Sequence, residues 1–189
     1  GKAAGLPFAI LGGPHGDVPL EATSGRVIAK FVIDNRVPVV VDLSAFRKAP
    51  MRRFVTDFLD ELYHRNTEPL HLVVDEADLF APQRPGRDGL ALLGVMEDVV
   101  RRGRAKGLGC TLISQRPAVL HKDVLTQVSV LIALRLSGPQ DREAIKAWIE
   151  SHASDSERRE VLDSLPGLAT GDGWFWSPSF MGVLTRFRA

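Results

Sequence analysis

The sequence predicts an α/β fold in which a mostly parallel sheet is flanked by helices. Segments with the pattern of strands alternate with amphipathic segments along the whole chain, and this alternation is typical of such folds. Two segments, residues 37–43 and 70–74, are apolar runs rich in valine. Because the strands of a parallel sheet are covered on both faces, these runs predict buried strands.

The clearest element of the first half is an amphipathic helix at residues 51–65, whose apolar residues fall on one face and whose charged residues cover the other. A turn of Gly12, Gly13 and Pro14 ends the first predicted strand. The predicted elements of this half are strand 7–11, helix 24–35, strand 37–43, helix 51–65 and strand 70–74.

The second half begins with a loop rich in Pro, Gly and Arg at residues 81–89. Ser154 and Glu157 have the spacing of a capping box, so a helix is predicted to begin there. That helix ends at Pro166 and Gly167. The other predicted elements are a helix through Gly103, strand 110–114, a short helix near 122–128, strand 130–136, a helix before Ser154, and antiparallel strands 173–176 and 182–188.

Composition indicates an ordinary globular chain, which we expect to form one domain over residues 1–189. Of the 189 residues, 44% are apolar and 25% are charged, as is usual for globular domains. No apolar run is long enough to cross a bilayer, and the single cysteine, Cys110, suits a reducing compartment. We therefore expect a cytoplasmic protein. The net charge of +1 means that any nucleic-acid contact must come from local basic groups.

The strongest chemical signal is a pair of acids, Asp75 and Glu76, directly after the apolar residues 72–74. A strand that ends in two carboxylates places them at the carboxyl edge of a parallel sheet, where such folds bind ligands. In P-loop ATPases the first acid holds Mg²⁺ through its water shell, and the second orients or deprotonates the attacking water. A buried strand that simply meets water at a polar end would show the same residues.

The next predicted strand supplies a third polar group, because residues 111–114 are followed by Gln115, Arg116 and Pro117. An amide at the neighbouring strand tip can reach a γ-phosphate or the attacking water as a sensor. The alternative is a polar turn that Pro117 closes. The acid pair on the adjacent strand favours the sensor.

A basic cluster at residues 101–107 lies between these two strands. Cations at a helix C-terminus stabilise the helix dipole, and Gly103 or Gly107 can cap the helix. The alternative is an arginine finger, which stabilises the transition state of a nucleotide bound to a neighbouring subunit. The cluster alone favours the first interpretation.

Several of these motifs, in this order, resemble the HerA-type branch of the HerA/FtsK ATPases. The resemblance is strong over residues 70–142 and weaker over residues 8–65. The segments that carry it are 72–78, 102–109, 113–117, 124–127 and 134–136.

The resemblance implies a RecA-like P-loop core that binds ATP and Mg²⁺. It also implies a homo-oligomeric ring hexamer that moves double-stranded DNA through its centre, often with a nuclease as partner. By position, it makes Asp75 the Walker B acid and Mg²⁺ ligand through water, Glu76 the catalytic carboxylate and Gln115 the sensor. Arg104 becomes the preferred finger that acts across the subunit boundary, and Arg101 is the second candidate.

One motif of the family is missing from the sequence. The phosphate-binding pattern G-x-x-x-x-G-K-[ST] does not occur, and the glycine-rich residues 12–17 contain no lysine. Pro14 also removes an amide that a phosphate cradle needs, so this stretch is interpreted as a turn. Since the chain starts at Gly1 without methionine, we expect the phosphate-binding loop to lie upstream and the chain as printed to be inactive alone.

The candidates for DNA contact are four cations in two loops that leave the same sheet edge. Arg84 and Arg87 lie in the loop at residues 81–89, and Arg116 and Lys122 follow the sensor strand. A solvated loop is the alternative for the first pair.

Three other functions are compatible with parts of the pattern. Asp75 to Asp78 also spell the acidic motif of DEAD-box RNA helicases, but those enzymes carry Ser-Ala-Thr on the following strand and a second RecA-like domain. A motor of the type IV secretion class shares the same core. A module for oligomerisation or regulation, without a phosphate-binding loop, would not require the acid pair together with Gln115 and Arg104.

Overall fold

Seven strands and seven α-helices make up residues 8–150 and 154–189, the part of the chain that the computed structural model describes. The predicted α/β class is confirmed. The strands are β1 (Ala9–Gly12), β2 (Val39–Asp42), β3 (Leu70–Val74), β4 (Leu108–Leu112), β5 (Leu131–Ala133), β6 (Asp172–Ser177) and β7 (Val183–Arg188). The helices are α1 (Gly25–Asn35), α2 (Lys48–Arg65), α3 (Ala77–Phe80), α4 (Leu90–Arg102), α5 (Lys122–Leu125), α6 (Pro139–Glu150) and α7 (Asp155–Ser164).

The chain divides into two compact units. The first comprises Gly1–Val74 with Pro85–Leu112, and the second comprises Asp75–Arg84 with Ile113–Ala189. In the first unit β1 pairs with β2 and β3 pairs with β4, both in parallel. The register of the second pair joins Leu70 to Leu108 and Val74 to Leu112, so β3 and β4 end at the same edge.

Helices α1, α2 and α4 form the helical layer of the first unit. Helix α2 contacts both of the others, and it buries its apolar stripe (Phe54, Val55, Leu59 and Leu62) as its 3.6-residue period predicts. Ion pairs tie α1 to the polar face of α2, among them Arg26 with Asp57 at 3.5 Å. None of the helices in residues 8–150 and 154–189 is long and apolar enough to cross a bilayer.

The second unit has its own core under an antiparallel sheet of order β5-β6-β7. Trp148 of α6 packs edge-on against Trp176 of β6, with the ring centroids 5.5 Å apart. The indole N–H of Trp148 donates to the carbonyl of Val128 at 2.9 Å, and that of Trp174 donates to Ser164 Oγ at 2.9 Å. Because the indoles of Trp148 and Trp174 have partners for their polar atoms, they can fill the core without an unsatisfied donor.

Several predicted elements are confirmed, and their boundaries move by one to three residues. The capping box of Ser154 and Glu157 is present and begins α7, and the two terminal strands pair antiparallel. The strand predicted at 110–114 ends at Leu112, and the strand predicted at 130–136 shortens to β5. Pro7, in the first predicted strand, lies outside the described residues. The short helix α3 was not predicted.

The prediction that strands 37–43 and 70–74 are buried on both faces is wrong. Along β3 the residues alternate between half-buried and exposed, and Val73 is 66% exposed. Val40 in β2 is exposed as well. A continuous valine run fits burial on both faces of a strand. Within the described chain, however, alternate side chains of β3 and Val40 of β2 are exposed, and in β3 this is the pattern of a sheet with one packed face.

Gly107 gives a stability test of the connection into β4. It adopts a left-handed φ of 74°, and a Cβ added there would lie 2.5 Å from the carbonyl oxygen of Glu68. We expect Gly107→Ala to lower the free energy of unfolding of the 189-residue chain by about 1–3 kcal/mol, since strain and a close contact combine. Urea denaturation measures the change.

The matched control for this test is Gly94→Ala in the middle of α4. A Cβ at Gly94 meets nothing within 4 Å, so alanine should stabilise the helix by about 0.5–1 kcal/mol. If both variants changed the stability equally, the close approach at Gly107 would not be the constraint.

Candidate functional site

The acid pair forms a turn of unusual backbone geometry directly after β3. Glu76 has φ 51° and ψ 44°, in the left-handed region that non-glycine residues seldom adopt. Asp75 supports the turn, because its Oδ1 accepts the backbone N–H of Glu76 at 2.9 Å. Both carboxylates are exposed. A left-handed backbone costs free energy in a non-glycine residue, and proteins keep such strained residues mostly at functional sites, where the direction of a side chain matters.

Two hydrogen bonds join this turn to the loop that follows β4. The backbone N–H of Ala77 donates to the carbonyl of Ile113 at 2.9 Å. The hydroxyl of Ser114 donates to Asp78 Oδ1 at 2.6 Å and accepts the N–H of Arg116 at 3.0 Å. Gln115 therefore follows directly after two residues, Ile113 and Ser114, that bond to the segment of the acidic turn. The proximity of Gln115 to Asp75 and Glu76 stays a prediction.

Sequence reasoning gave no role to Ser114 and Asp78, which make the side-chain part of this connection. The two residues of this hydrogen bond are 36 positions apart in the chain, so no local sequence pattern predicts it. The available signal was the presence of a small hydroxyl residue at one strand tip and a third acid, Asp78, beside the other. We refer to the Ser114–Asp78 bond and the Ala77–Ile113 bond together as the edge clamp.

The acidic turn offers carboxylate oxygens, which are ligands of the type that Mg²⁺ takes. Mg²⁺ prefers oxygen ligands and keeps several of its waters. Asp75 commits Oδ1 to the backbone of Glu76, and Oδ2 is left for a metal-bound water. Glu76 is exposed beside it, so its carboxylate can face a water molecule rather than the protein interior.

The basic cluster surrounds an open hollow in the first unit. Helix α4 ends at Arg102, and a 3-10 turn, Gly103–Lys106, leads to Gly107. Buried Asn66 fixes this turn, because its Nδ2 donates to the carbonyl of Lys106 at 2.6 Å. The hollow has a volume of about 610 Å³, and its lining residues are Tyr63, Arg101, Arg102, Arg104, Ala105 and Lys106.

Arg104 lies at the opposite end of the strands from the acids. The turn that contains it precedes β4, whereas Asp75 follows the last residue of β3, and five strand residues separate the two ends by roughly 15 Å. Arg104 is exposed, and within residues 8–150 and 154–189 its guanidinium makes no hydrogen bond or ion pair. Arg102, by contrast, pairs with Asp98 at 2.9 Å.

Three of the four DNA candidates belong to neighbouring segments of the second unit. An isolated antiparallel bridge joins Pro82 to Leu120, and the backbone N–H of Lys122 donates to Gln83 Oε1 at 2.9 Å. These bonds bring the segment that ends in Arg84 beside the segment of Arg116 and Lys122, and all three cations are exposed. Arg87, also exposed, belongs to a 3-10 turn (Arg87–Gly89) of the first unit.

The glycine-rich stretch is a turn, as predicted. The N–H of Gly12 donates to Val18 at 2.8 Å, and the N–H of Asp17 donates to Ile10 at 2.6 Å. Gly12 and Gly13 both have positive φ. Hydrogen bonds from Ser44 hold the pKa of the neighbouring Asp42 below its usual value, so this edge of β2 carries a stable negative charge that does not favour a phosphate.

Comparison with solved structures shows which known fold the chain shares. The chain resembles the genome packaging NTPase B204 of Sulfolobus turreted icosahedral virus 2 in complex with AMP, with a TM-score of 0.61, 14% identity and coverage of 99% of this chain and 84% of that one. The complex of the same protein with ATP-gammaS gives a TM-score of 0.60 at 17% identity. At this identity the likeness shows the fold alone, an α/β fold shared with the core of that NTPase.

Comparison of sequences defines the family. The profile of the family described as Helicase HerA-like C-terminal matches residues 55–175. The DNA double-strand break repair helicase HerA of Pyrococcus furiosus is 28% identical over 82% of this chain. The probable HerA helicase of Methanocaldococcus jannaschii is 32% identical over 82%. The chain spans 28% and 30% of the length of these two relatives.

The chain belongs to the Helicase HerA-like C-terminal family. This confirms the resemblance that the motifs around Asp75, Arg104 and Gln115 indicate. The matched region contains all three positions.

The edge clamp can be tested through Ser114. We expect Ser114→Ala to lower the free energy of unfolding of the 189-residue chain by about 1–3 kcal/mol, because the bond to the Asp78 carboxylate is removed and a half-buried acceptor remains. Urea denaturation measures the change. Ser114→Thr keeps the hydroxyl and serves as the control. Equal stability of Ser114→Ala and the wild type would show that the bond to Asp78 contributes nothing.

Proposed function

We propose that this chain supplies the Walker B, sensor and arginine-finger part of an ATP-driven, DNA-translocating motor of HerA type. The observation that carries the proposal is the edge clamp, which joins the residues directly before Gln115 to the residues directly after Glu76. Membership of the family supports it. A strand tip with two exposed acids, tied to a neighbouring tip with an amide, is the arrangement that hydrolysis of a nucleotide requires.

In this proposal Asp75 and Glu76 have different roles. A bound magnesium nucleotide supplies the electrophilic phosphorus and the charge that holds the phosphate oxygens. Asp75, whose Oδ1 is engaged by the N–H of Glu76, would hold the Mg²⁺ through the water shell of the ion. Glu76, whose carboxylate is exposed, accepts a proton from the attacking water. A general base of this kind needs to lie within hydrogen-bond reach of the water.

Gln115 and Arg104 act at different places. Gln115 orients the water or senses the γ-phosphate from the tip after β4. Arg104 begins at the other end of the strands, so it acts on the nucleotide of a neighbouring copy, and Arg101 is the reserve candidate. The Arg104 guanidinium is exposed and has no partner in the described chain, so it can reach across a subunit boundary without breaking an existing bond.

The phosphate-binding loop is proposed to come from a segment joined to this chain, since the sequence contains no lysine in its glycine-rich turn. The 189 residues alone are then inactive, because the cradle and its lysine supply most phosphate contacts. The working assembly is proposed to be a cytoplasmic homo-oligomeric ring, a hexamer, that acts on double-stranded DNA and is joined by a nuclease. Activity and DNA binding are therefore measured on the protein that carries this chain and that loop together.

Subunit mixing tests the division between Glu76 and Arg104. We expect Glu76→Gln to reduce ATP turnover on the order of 10²–10⁴-fold with nearly unchanged nucleotide binding, because the amide cannot accept a proton. Arg104→Ala should reduce kcat on the order of 10³-fold, since a finger acts on charge in the transition state. Mixing the two inactive variants should restore part of the ATPase activity, because some interfaces pair an intact Glu76 with an intact Arg104.

The matched control for Arg104 is Arg102→Ala. Arg102 lines the same hollow, but it pairs with Asp98 on its own helix, so its removal should leave kcat within about threefold and weaken the helix end only slightly. Absence of recovery in rings with exchanged subunits, together with equal kcat losses for Arg102→Ala and Arg104→Ala, would refute the finger.

DNA contact is tested by its salt dependence. Glutamine at Arg84, Arg116 and Lys122 should weaken binding of double-stranded DNA and reduce the slope of log K against log salt by about 0.9 for each phosphate that is no longer neutralised. Arg87→Gln tests the fourth candidate separately. Lys30→Gln on α1, where the lysine already pairs with Glu61 at 3.8 Å, is the control. An unchanged slope in the triple variant would place the DNA contact elsewhere.

A further inference from the structure

Asn66, the residue that follows α2, is a polar residue in the interior of the first unit. Only 3% of its surface is exposed. Its backbone N–H donates to the carbonyl of Leu62 at 2.9 Å and so ends the helix. Burial of an amide side chain is unfavourable unless its polar atoms are hydrogen-bonded. The partners of the Asn66 side chain therefore account for its place in the interior.

The Asn66 side chain donates to two carbonyls from separate parts of the chain. Its Nδ2 lies 2.5 Å from the carbonyl oxygen of Glu68, two positions away. It also lies 2.6 Å from the carbonyl oxygen of Lys106, which is 40 positions away. Lys106 is the last residue of the 3-10 turn Gly103–Lys106, which contains Arg104 and which we call the finger turn. Because both partners are acceptors, the position needs two N–H donors on one short side chain, and a primary amide supplies them.

Backbone hydrogen bonds complete the attachment of the finger turn. The N–H of Gly107, directly after the turn, donates to the carbonyl of Arg104 at 3.1 Å. The carbonyl of Gly107 in turn accepts the N–H of Leu70 at 2.9 Å. The backbone that follows Arg104 is therefore tied to residues 66–70 through the side chain of Asn66 and the N–H of Leu70.

The Arg104 side chain is free where its backbone is fixed. It is exposed, and its guanidinium makes no hydrogen bond or ion pair within residues 8–150 and 154–189. The fold can therefore position Arg104 only through the backbone of the finger turn. A misplacement of about 1 Å can lower the rate of a catalysed reaction on the order of 10²-fold, so a catalytic arginine on a free side chain depends on a fixed backbone.

We propose that Asn66 is a positioning residue for Arg104, which it holds in place through the carbonyl of Lys106. The inference rests on the proposed function of Arg104 as a finger that acts across the subunit boundary. Because Asn66 is buried, it acts through the finger turn and not by contact with the nucleotide. Its removal should lower kcat and leave nucleotide binding by the same subunit intact.

Asn66→Asp tests this role in the protein that carries this chain and the phosphate-binding loop together. Aspartate has the shape of asparagine, but its carboxylate cannot donate to the two carbonyls. We expect kcat to fall on the order of 10–10²-fold through misplacement of the finger, with an unchanged dissociation constant for ATP. Asn35→Asp is the matched control. Nδ2 of Asn35 donates to the carbonyl of Phe31 at 2.9 Å within α1, so its loss should leave kcat unchanged.

Subunit mixing separates positioning of the finger from a general loss of structure. Asn66→Asp subunits retain Glu76, and Glu76→Gln subunits retain Asn66 and Arg104. Rings mixed from these two variants should regain part of the ATPase activity. Rings mixed from Asn66→Asp and Arg104→Ala subunits should regain none, because both variants are defective on the finger side. In one subunit, Asn66→Asp should not lower the kcat of Arg104→Ala further, since no finger remains to be positioned.

Hydrogen exchange tests the attachment on the 189-residue chain without nucleotide. Asn66→Asp should speed amide exchange in residues 103–107 at least about tenfold, because the turn can open locally, and should leave exchange in α1 unchanged. Asn66→Ser is the second variant, for use if Asn66→Asp does not fold. Serine is smaller and uncharged, and its hydroxyl retains one donor, so the same changes should appear to a smaller extent.

The outcomes separate this inference from the proposed function. If Arg104→Ala lowers kcat and folded Asn66 variants keep the wild-type kcat, the positioning role is wrong and the finger stands. Recovery of Arg104→Ala by Glu76→Gln without recovery of Asn66→Asp also overturns the inference and identifies a general loss of structure. If Arg104→Ala keeps the wild-type kcat, both proposals are wrong. Unchanged exchange in residues 103–107 overturns the inference whatever the ATPase assay shows.

Discussion

The candidate site depends on the connection between the ends of two parallel strands. Strands β3 and β4 finish in register, with Val74 opposite Leu112, and the chain leaves each strand in a separate loop. Without a further bond these loops would be free to diverge. The edge clamp prevents this through one backbone bond, from Ala77 to Ile113, and one side-chain bond, from Ser114 to Asp78. Gln115 can then be positioned relative to the acids by rigid backbone rather than by its own flexible side chain.

Because β3 and β4 are parallel, the acidic residues Asp75 and Glu76 and the basic residue Arg104 adjoin opposite ends of these strands. A crossover helix must return the chain from the end of β3 to the start of β4, so α4 delivers its last residues to the amino edge. The acids and the amide therefore follow the carboxyl ends of the strands, and Arg104 precedes the strand that carries the amide. This position is the reason for our proposal that Arg104 acts on a neighbour's nucleotide rather than its own. The trans action that we propose is a consequence of strand direction as much as of residue type.

Exposed apolar residues occur on the strands and in the turn between β6 and β7. Val73 and Val40 lie on strands, whereas Phe180 and Met181 lie in the turn. A strand face is a broad surface that an additional layer can cover, and a turn offers only a small apolar contact.

The sequence by itself determined the order and type of most elements, because these depend on local pattern. The 3.6-residue stripe of α2, the capping box of Ser154 and Glu157, and the acid pair after an apolar strand can all be recognised within a few turns of chain. The motif order also determined the family. Tertiary structure decided which strand faces are covered, that Glu76 takes a left-handed turn, and that Ser114 bonds to Asp78. Burial, and hydrogen bonds between residues 36 positions apart, depend on which segments meet in space. A local sequence pattern does not specify which distant segments come together.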